Sequence, residues 1–177
     1  LDPDPDASAE FEGPGASSMF LSKLDEDGVL EWAHGWSGHV ASWDSLRDVA
    51  VDENDGIWAT GDFRGKLDLD PGTGEDVNTG SEEGRPAAVN VHFSPDGEYQ
   101  WSRQWPALRS VALDLEVVDD GVLVVGGFYG IIDLDPGPEE DLRASAGLNE
   151  QSYNGFLVKL DFEGNYVWGC LFYTSDA

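Results

Sequence analysis

Hydrophobic and polar residues alternate along much of this chain with a period of two. Leu30, Trp32, His34 and Trp36 form one row, and Val29, Glu31 and Ala33 form the other. That spacing puts successive side chains on opposite faces of a β-strand. Gly121 to Phe128 reads GVLVVGGF and is almost wholly apolar, which predicts a strand covered on both faces. Asp-Gly and Glu-Gly steps separate these runs. They predict hairpins, because Gly tolerates positive φ and Asp hydrogen-bonds back to its own turn. No stretch of twelve residues holds a helical period. Ala107 to Leu115 comes nearest, but its counterpart Ser42 to Ala50 leads straight into a turn. The chain is predicted to be all-β.

Three pieces of the pattern recur. An acidic loop reads DLDPGTGED from Asp68 to Asp76 and DLDPGPEED from Asp133 to Asp141, 65 residues later. A worn copy, DPDPDASAE, runs from Asp2 to Glu10; acids fall at relative positions 1, 3 and 9 in all three. The second piece is an aromatic hairpin, at Lys23 to Trp32, His92 to Trp101 and Lys159 to Trp168. In each copy a Gly (Gly28, Gly97, Gly164) stands four residues before a Trp, and another aromatic (Trp36, Trp105, Phe172) follows four later. In the third piece, Asp52 to Gly65 matches Val117 to Gly130, pairing Gly56 with Gly121, Gly61 with Gly126 and Phe63 with Phe128.

A fixed period of this length marks one supersecondary unit repeated. Each unit supplies two hairpins, so four antiparallel strands in about 65 residues, which is the blade of a β-propeller. The unit exceeds common blades because the acidic loop continues through polar stretches, Thr73 to Gly84 and Pro138 to Asn149. Leucine-rich and β-helical solenoids fit less well, having fewer strands in shorter repeats.

The order of motifs resembles the bacterial β-propeller repeat family often described as seven-bladed, A-F-x-x-K-L-D-x-x-G-x-x-x-W followed by A-V-D-x-x-G-x-x-x-x-T-G-x-F. Phe20 to Trp32 with Ala50 to Phe63 fits that order, and Phe156 to Trp168 fits its first half. The D-x-D-P-G segment resembles a variant in large secreted proteins of environmental bacteria. The middle copy departs, with His92, Phe93 and Ser94 in place of Lys-Leu-Asp and Val117 where Asp52 stands. The resemblance covers nearly the whole chain and implies an extracellular or surface-exposed propeller, without assigning a mechanism.

On this reading residues 1–177 are a single array, with repeats at 1–67, 68–132 and a partial third at 133–177. Its five hairpins amount to about two and two-thirds blades, whereas propellers hold roughly four to eight. Exposed sheet edges at the ends would invite pairing with another strand. The expected partners are therefore the remaining blades of a longer parent chain, or other protein chains closing a ring together.

Charge narrows the partners. The 36 acids against 9 bases give a net charge of −27. No basic stripe exists to neutralise phosphates, so nucleic acid is excluded as an expected partner, and anionic membranes are disfavoured. Such charge suits a salty, calcium-bearing medium, where screening shortens self-repulsion, or cation binding. Three lysines (Lys23, Lys66, Lys159) lean towards a marine or halophilic setting. The longest apolar run is too short to span a bilayer, and Leu-Asp-Pro-Asp at the start reads as a trimmed or mature end rather than a signal peptide. The single Cys170 excludes an internal disulfide and is expected as a small inward strand residue.

The acidic loops are the first candidate chemistry. Calcium takes six to eight oxygens on a loop that turns at Gly, and Asp68, Asp70 and Asp76, Asp133, Asp135 and Asp141, and Asp2, Asp4 and Glu10 would supply carboxylates. The alternative needs no metal. Asp68 and Asp133 would end a strand while Asp70 and Asp135 cap an Asx turn before Pro-Gly. Asp25, Asp27, Asp55, Asp96, Asp119 and Asp120 are expected turn formers. The recurring Trp32, Trp36, Trp101, Trp105 and Trp168 are expected in packing between blades, and Trp58 holds a strand position. Trp43, in a loop outside the pattern, is the expected stacking residue if a glycan binds.

Catalytic motifs are missing. His34, His39 and His92 lack zinc spacing, and no nucleophile elbow, P-loop or dinucleotide fingerprint occurs. Acids are too abundant for one glycosidase pair to stand out. The expected function is a non-catalytic, secreted or surface-displayed propeller segment for adhesion, scaffolding or assembly, with calcium stiffening each acidic loop. A carbohydrate-binding, lectin-like propeller is the alternative, and a polysaccharide-acting enzyme a remote third.

Overall fold

The computed structural model describes residues 18–37, 44–81, 84–146 and 153–173. It is all-β, with no α-helix among these residues, as the period-two pattern requires. β1 (Ser18–Leu24) and β2 (Leu30–Ser37) form an antiparallel hairpin. β3 (Ser45–Val51), β4 (Ile57–Phe63), β7 (Ala87–Phe93) and β8 (Tyr99–Trp105) form a four-stranded antiparallel sheet in the order β3-β4-β7-β8. β9 (Arg109–Val118), β10 (Gly121–Tyr129), β13 (Asn154–Leu160) and β14 (Tyr166–Phe172) form a second in the same order. Each sheet takes one hairpin from before an acidic loop and one from after it. The described residues contain no closed ring of sheets.

The stretch after each central strand is more ordered than its polar sequence predicts. Between β4 and β7 the chain makes a short ribbon, β5 (Lys66–Asp68) with β6 (Val77–Thr79). Between β10 and β13 it makes another, β11 (Ile131–Asp133) with β12 (Leu142–Ala144). Three-residue strands carry too little periodicity to be seen in sequence; Leu67 and Ile132, one buried residue per ribbon, anchor them.

The sheets stack face to face. One core lies between the β1–β2 hairpin and the first sheet, from Met19, Leu21 and Trp36 against Ile57, Ala59, Phe63, Val89 and Phe93. The other lies between the two sheets, with Trp58, Ala88 and Trp105 on one side and Val122, Val124, Phe128, Phe156 and Leu160 on the other. The first sheet is thus covered on both faces, and all seven residues of β4 are buried. In the second sheet, buried and half-buried positions alternate along β13 and most of β10, because only one face has a covering layer among the described residues.

Equivalent edge strands carry equivalent irregularities. The register of β3 shifts between Leu46 and Asp48, and that of β9 follows suit between Ala112 and Asp114. Gly61 and Gly126 lie opposite these bulges. A Cβ there would stand 1.9 Å from the Ser45 carbonyl oxygen and 2.3 Å from that of Val111. That close approach explains why the third repeated piece keeps its glycine.

Candidate functional site

Two repeated constructions join one sheet to the next, and most of the residues singled out in sequence fall into them. The first is the acidic loop. Asp68 Oδ1 accepts the backbone N–H groups of Asp70 at 3.2 Å and Asp76 at 2.8 Å. Asp70 Oδ1 accepts the N–H of Gly72 at 2.7 Å. The second copy repeats every bond: Asp133 Oδ1 takes Asp135 and Asp141, at 3.1 and 2.8 Å, and Asp135 Oδ1 takes Gly137 at 2.7 Å. The spacing of acids at 1, 3 and 9 therefore has a backbone account. The first carboxylate gathers the N–H groups of the third and ninth residues, closing the loop as a nested Asx turn.

The ninth acid faces outward to its own sheet. Asp76 accepts the hydroxyls of Tyr99 and Ser102 on β8 and the Asn78 amide. Asp141 accepts the Tyr166 hydroxyl on β14 at 2.5 Å and pairs with Arg143 at 2.8 Å. Burial, followed by the hydrogen bond to Asp76, raises the Tyr99 phenol above its ordinary value. Tyr166 is raised for the same two reasons.

The residue between the first two acids is the one that reaches the neighbouring layer. Leu69 and Leu134 are 1% and 0% exposed. Their carbonyls accept the indole N–H of Trp36 and Trp105, each at 3.1 Å, from the preceding hairpin. The loop is thus a latch, with a leucine and a carbonyl on one layer and carboxylates tied to the other. Neither leucine stands out in the sequence, although each is second in its D-L-D-P-G copy.

The second construction is at the hairpin turns. Gly97 and Gly164 have φ of 81° and 78°, and a Cβ on either would sit 2.8 Å from the ring of Trp32 or Trp101. The turn of each later hairpin therefore rests on the tryptophan of the layer before it. Polar atoms fix the contact. His34 Nε2 lies 2.6 Å from the Gly97 carbonyl and Lys23 Nζ donates to Pro95 at 3.0 Å. Arg103 Nε donates to the Gly164 carbonyl at 2.7 Å while its guanidinium stacks 4.9 Å from the Trp101 ring centre. Trp168 holds the same place on β14 and is 41% exposed. Cys170, half-buried there, stands where His34 and Arg103 stand on the earlier hairpins.

The turns are built alike. Asp25 and Asp161 each accept two N–H groups of their own turn, and Asp52 does the same at a different hairpin. In the middle copy Ser94 Oγ takes the Glu98 N–H, so the Asp-to-Ser departure preserves the turn. Asp120 pairs instead with Lys159 at 2.5 Å. At the inner edge Asp48 Oδ2 accepts the Leu115 N–H of the next sheet at 3.0 Å. Burial alone would raise the Asp48 carboxyl, but that bond and one with Asp114 outweigh it and hold it below the ordinary range.

Asp2, Asp4, Glu10 and Trp43 lie outside the described residues. No group of three or more His, Cys, Asp or Glu side chains among the described residues is arranged to hold a metal ion. A cleft of about 400 Å³ opens beside the first acidic loop, where Asp70, Asp96 and Glu98 line it with His34 and Tyr99. The sequence matches no family model, and no curated protein matches it as a relative.

Proposed function

We propose that the chain is a run of β-propeller-type blades serving as a non-catalytic scaffold or adhesive array, displayed outside the cell, whose layers add by docking a hairpin turn on a tryptophan. The observation that carries the reading is the uneven coverage of equivalent strands. β4 is buried at every position, while β10 and β13 keep one half-buried face, continued on β14 by the exposed Trp168 and Phe172. A face built to the same pattern as a covered one fits a further layer of the same kind. Phe20 and Leu24, 67% and 48% exposed on the other side of the β1–β2 hairpin, offer the complementary end.

The expected partner is a second copy of this chain, or further blades of the same type, added head to tail. A heterologous contact of that kind makes closed rings or open filaments. Sedimentation over a range of concentrations tests it. The wild type is expected to associate, and Trp168→Glu to abolish association without loss of the β-sheet spectrum. A wild type that stays a single chain up to several hundred micromolar, as dilute as Trp168→Glu, removes the docking reading.

Calcium is carried as one arm of the proposal. The ion would draw on Asp68 Oδ2 and Asp70 Oδ2, which accept no hydrogen bond among the described residues, since the Oδ1 atoms are tied to the loop. A lectin reading rests on one observation, the cleft beside Asp70 and Tyr99, where carboxylates and an aromatic wall could meet sugar hydroxyls. Silence on a glycan array would leave the scaffold reading alone.

A further inference from the structure

We propose that a cavity between the two four-stranded sheets, lined by Arg64, Arg85 and Arg109, is a binding site for a small oxyanion, a carboxylate, sulfate or phosphate group. The cavity measures about 230 Å³, and Gly84, Pro86 and Tyr129 complete its lining. It lies where β4 ends, where β7 and β9 begin and where β10 ends, with Tyr129 paired directly to Arg109 across the strands.

The concentration of charge is the first argument. A chain with 9 bases and a net charge of −27 places three arginines on one small cavity, with no carboxylate in its lining among the described residues. Two acids stand behind it. Asp62 is held by Arg47 at 2.7 Å, and Asp44 caps the backbone N–H of Arg64 at 2.9 Å. Among the described residues four arginines thus gather near two carboxylates, Arg85 and Asp44 each having a further partner. Clustered like charges repel, so an arrangement of this kind is stabilised when an anion enters.

Unused donors are the second argument. Arg64 Nε is buried with no hydrogen-bond partner among the described residues, and so is the Tyr153 hydroxyl. The Arg109 guanidinium lies 5.4 Å from the Tyr153 ring centre, which fixes its orientation at the rim. Burial and the Asp62 charge raise the Tyr153 phenol while the charges of Arg109, Arg64 and Arg85 oppose them, so the ring stands within reach of all three cations and of Asp62. Arg85 and Tyr129 have partners of their own and add charge and shape. A buried donor left without a partner is destabilising, and guanidinium forks match planar or tetrahedral oxyanions in pairs. The volume falls below the roughly 300–1,000 Å³ of pockets for drug-sized ligands, so the occupant is a single anionic group.

Titration of the full chain with sodium sulfate, phosphate and glucuronate tests this, against chloride at matched ionic strength so that general screening cancels. Melting temperature and isothermal calorimetry are the readouts. The wild type is expected to bind at least one of the three above chloride, and Arg85→Gln/Arg109→Gln to bind at least tenfold more weakly. Arg143→Gln, remote and paired with Asp141, is expected to behave as wild type. Glu82 and Glu83 precede Gly84 in the sequence, so the titration is repeated on Glu82→Gln/Glu83→Gln. Binding seen only in that variant also supports the site. The proposal is overturned if neither protein distinguishes the oxyanions from chloride, or if Arg85→Gln/Arg109→Gln binds like the wild type.

Discussion

Trp105 donates its indole N–H to the carbonyl of Leu134 at 3.1 Å, 29 residues further along the chain. Trp36 makes the same bond to Leu69 at the same distance. A layer is therefore locked to the next by a residue inside an otherwise acidic loop. The hydrophobic side chain is what the loop delivers, and the flanking acids shape the turn that delivers it.

Truncating that leucine is expected to be the most damaging change in the loop. Leu69→Ala and Leu134→Ala each remove a fully buried side chain beside a tryptophan, a class of change that destabilises by about 2–5 kcal/mol. Urea denaturation measures it. Asp70→Ala, which loses one turn hydrogen bond, is expected to cost about 1 kcal/mol. An acid substitution that proved the worse of the two would show that the carboxylates, not the leucine, hold the layers.

The turn glycines give a sharper comparison. Gly164 and Gly84 both have positive φ, at 78° and 70°, where any side chain costs about 1–2 kcal/mol. A Cβ at Gly164 also meets the Trp101 ring at 2.8 Å, whereas nothing lies within 4 Å at Gly84. Gly164→Ala should therefore lower the melting temperature clearly more than Gly84→Ala. Equal losses would mean that the tryptophan yields and the docking contact is soft.

These contacts also show what the sequence could and could not reveal. Period-two alternation made the long strands legible, and the repeat of Gly-x-x-x-Trp placed Trp32, Trp101 and Trp168 in equivalent positions. The short ribbons were not legible, since three residues show no period. The latch was hidden for a different reason. Leu69 sits among charges, and only the fold shows that its side chain leaves the loop while Asp68 and Asp70 turn back into it. The arginine cavity draws on Arg64, Arg85 and Arg109, which lie in three separate segments with no shared motif, so spacing could not gather them.

Tyr99 carries a pH test of the outer tie. Burial and the Asp76 carboxylate hold its phenol above the ordinary 10. A group raised in the folded state contributes stability that is whole below its unfolded value and is lost as pH rises above it. Stability should thus decline above pH 10, and Tyr99→Phe should lessen that decline, with Tyr166 carrying a like share. At neutral pH the same variant should lose about 1.5–3 kcal/mol, the range for a hydrogen bond to a charged acceptor. Unfolding midpoints at pH 8 and 11 are the measurement.

Calcium is decided by removal. If the ion occupies the acidic loops, chelator lowers the melting temperature and millimolar calcium restores it, with Asp70→Asn/Asp135→Asn abolishing the response. Magnesium at the same concentration is the control, because general screening of the −27 charge acts for either ion. Identical melting in chelator, magnesium and calcium would leave the loops as latches built from hydrogen bonds alone.

His92 gives the acid side. It stacks on Trp58 with ring centres 4.1 Å apart and lies 5.4 Å from Trp101. Both its nitrogens are buried without a hydrogen-bond partner among the described residues. Among the described residues the one charged group facing it is Asp52, at 4.0 Å, whose carboxylate already accepts the Trp58 indole N–H at 2.9 Å. Burial holds the imidazole below its ordinary 6.5 and outweighs the pull of Asp52. The sign follows from linkage: as pH falls, the unfolded chain takes the proton first. Stability is intact above pH 6.5 and falls as pH drops through 6.5 towards the folded value. Asp52, itself held below the ordinary carboxyl range by its hydrogen bonds despite burial, titrates lower and leaves this window clear. His92→Leu is expected to remove the slope between pH 7 and 5, measured by urea midpoints, while leaving the sheet spectrum unchanged. A slope that persists in the variant would place the acid sensitivity elsewhere.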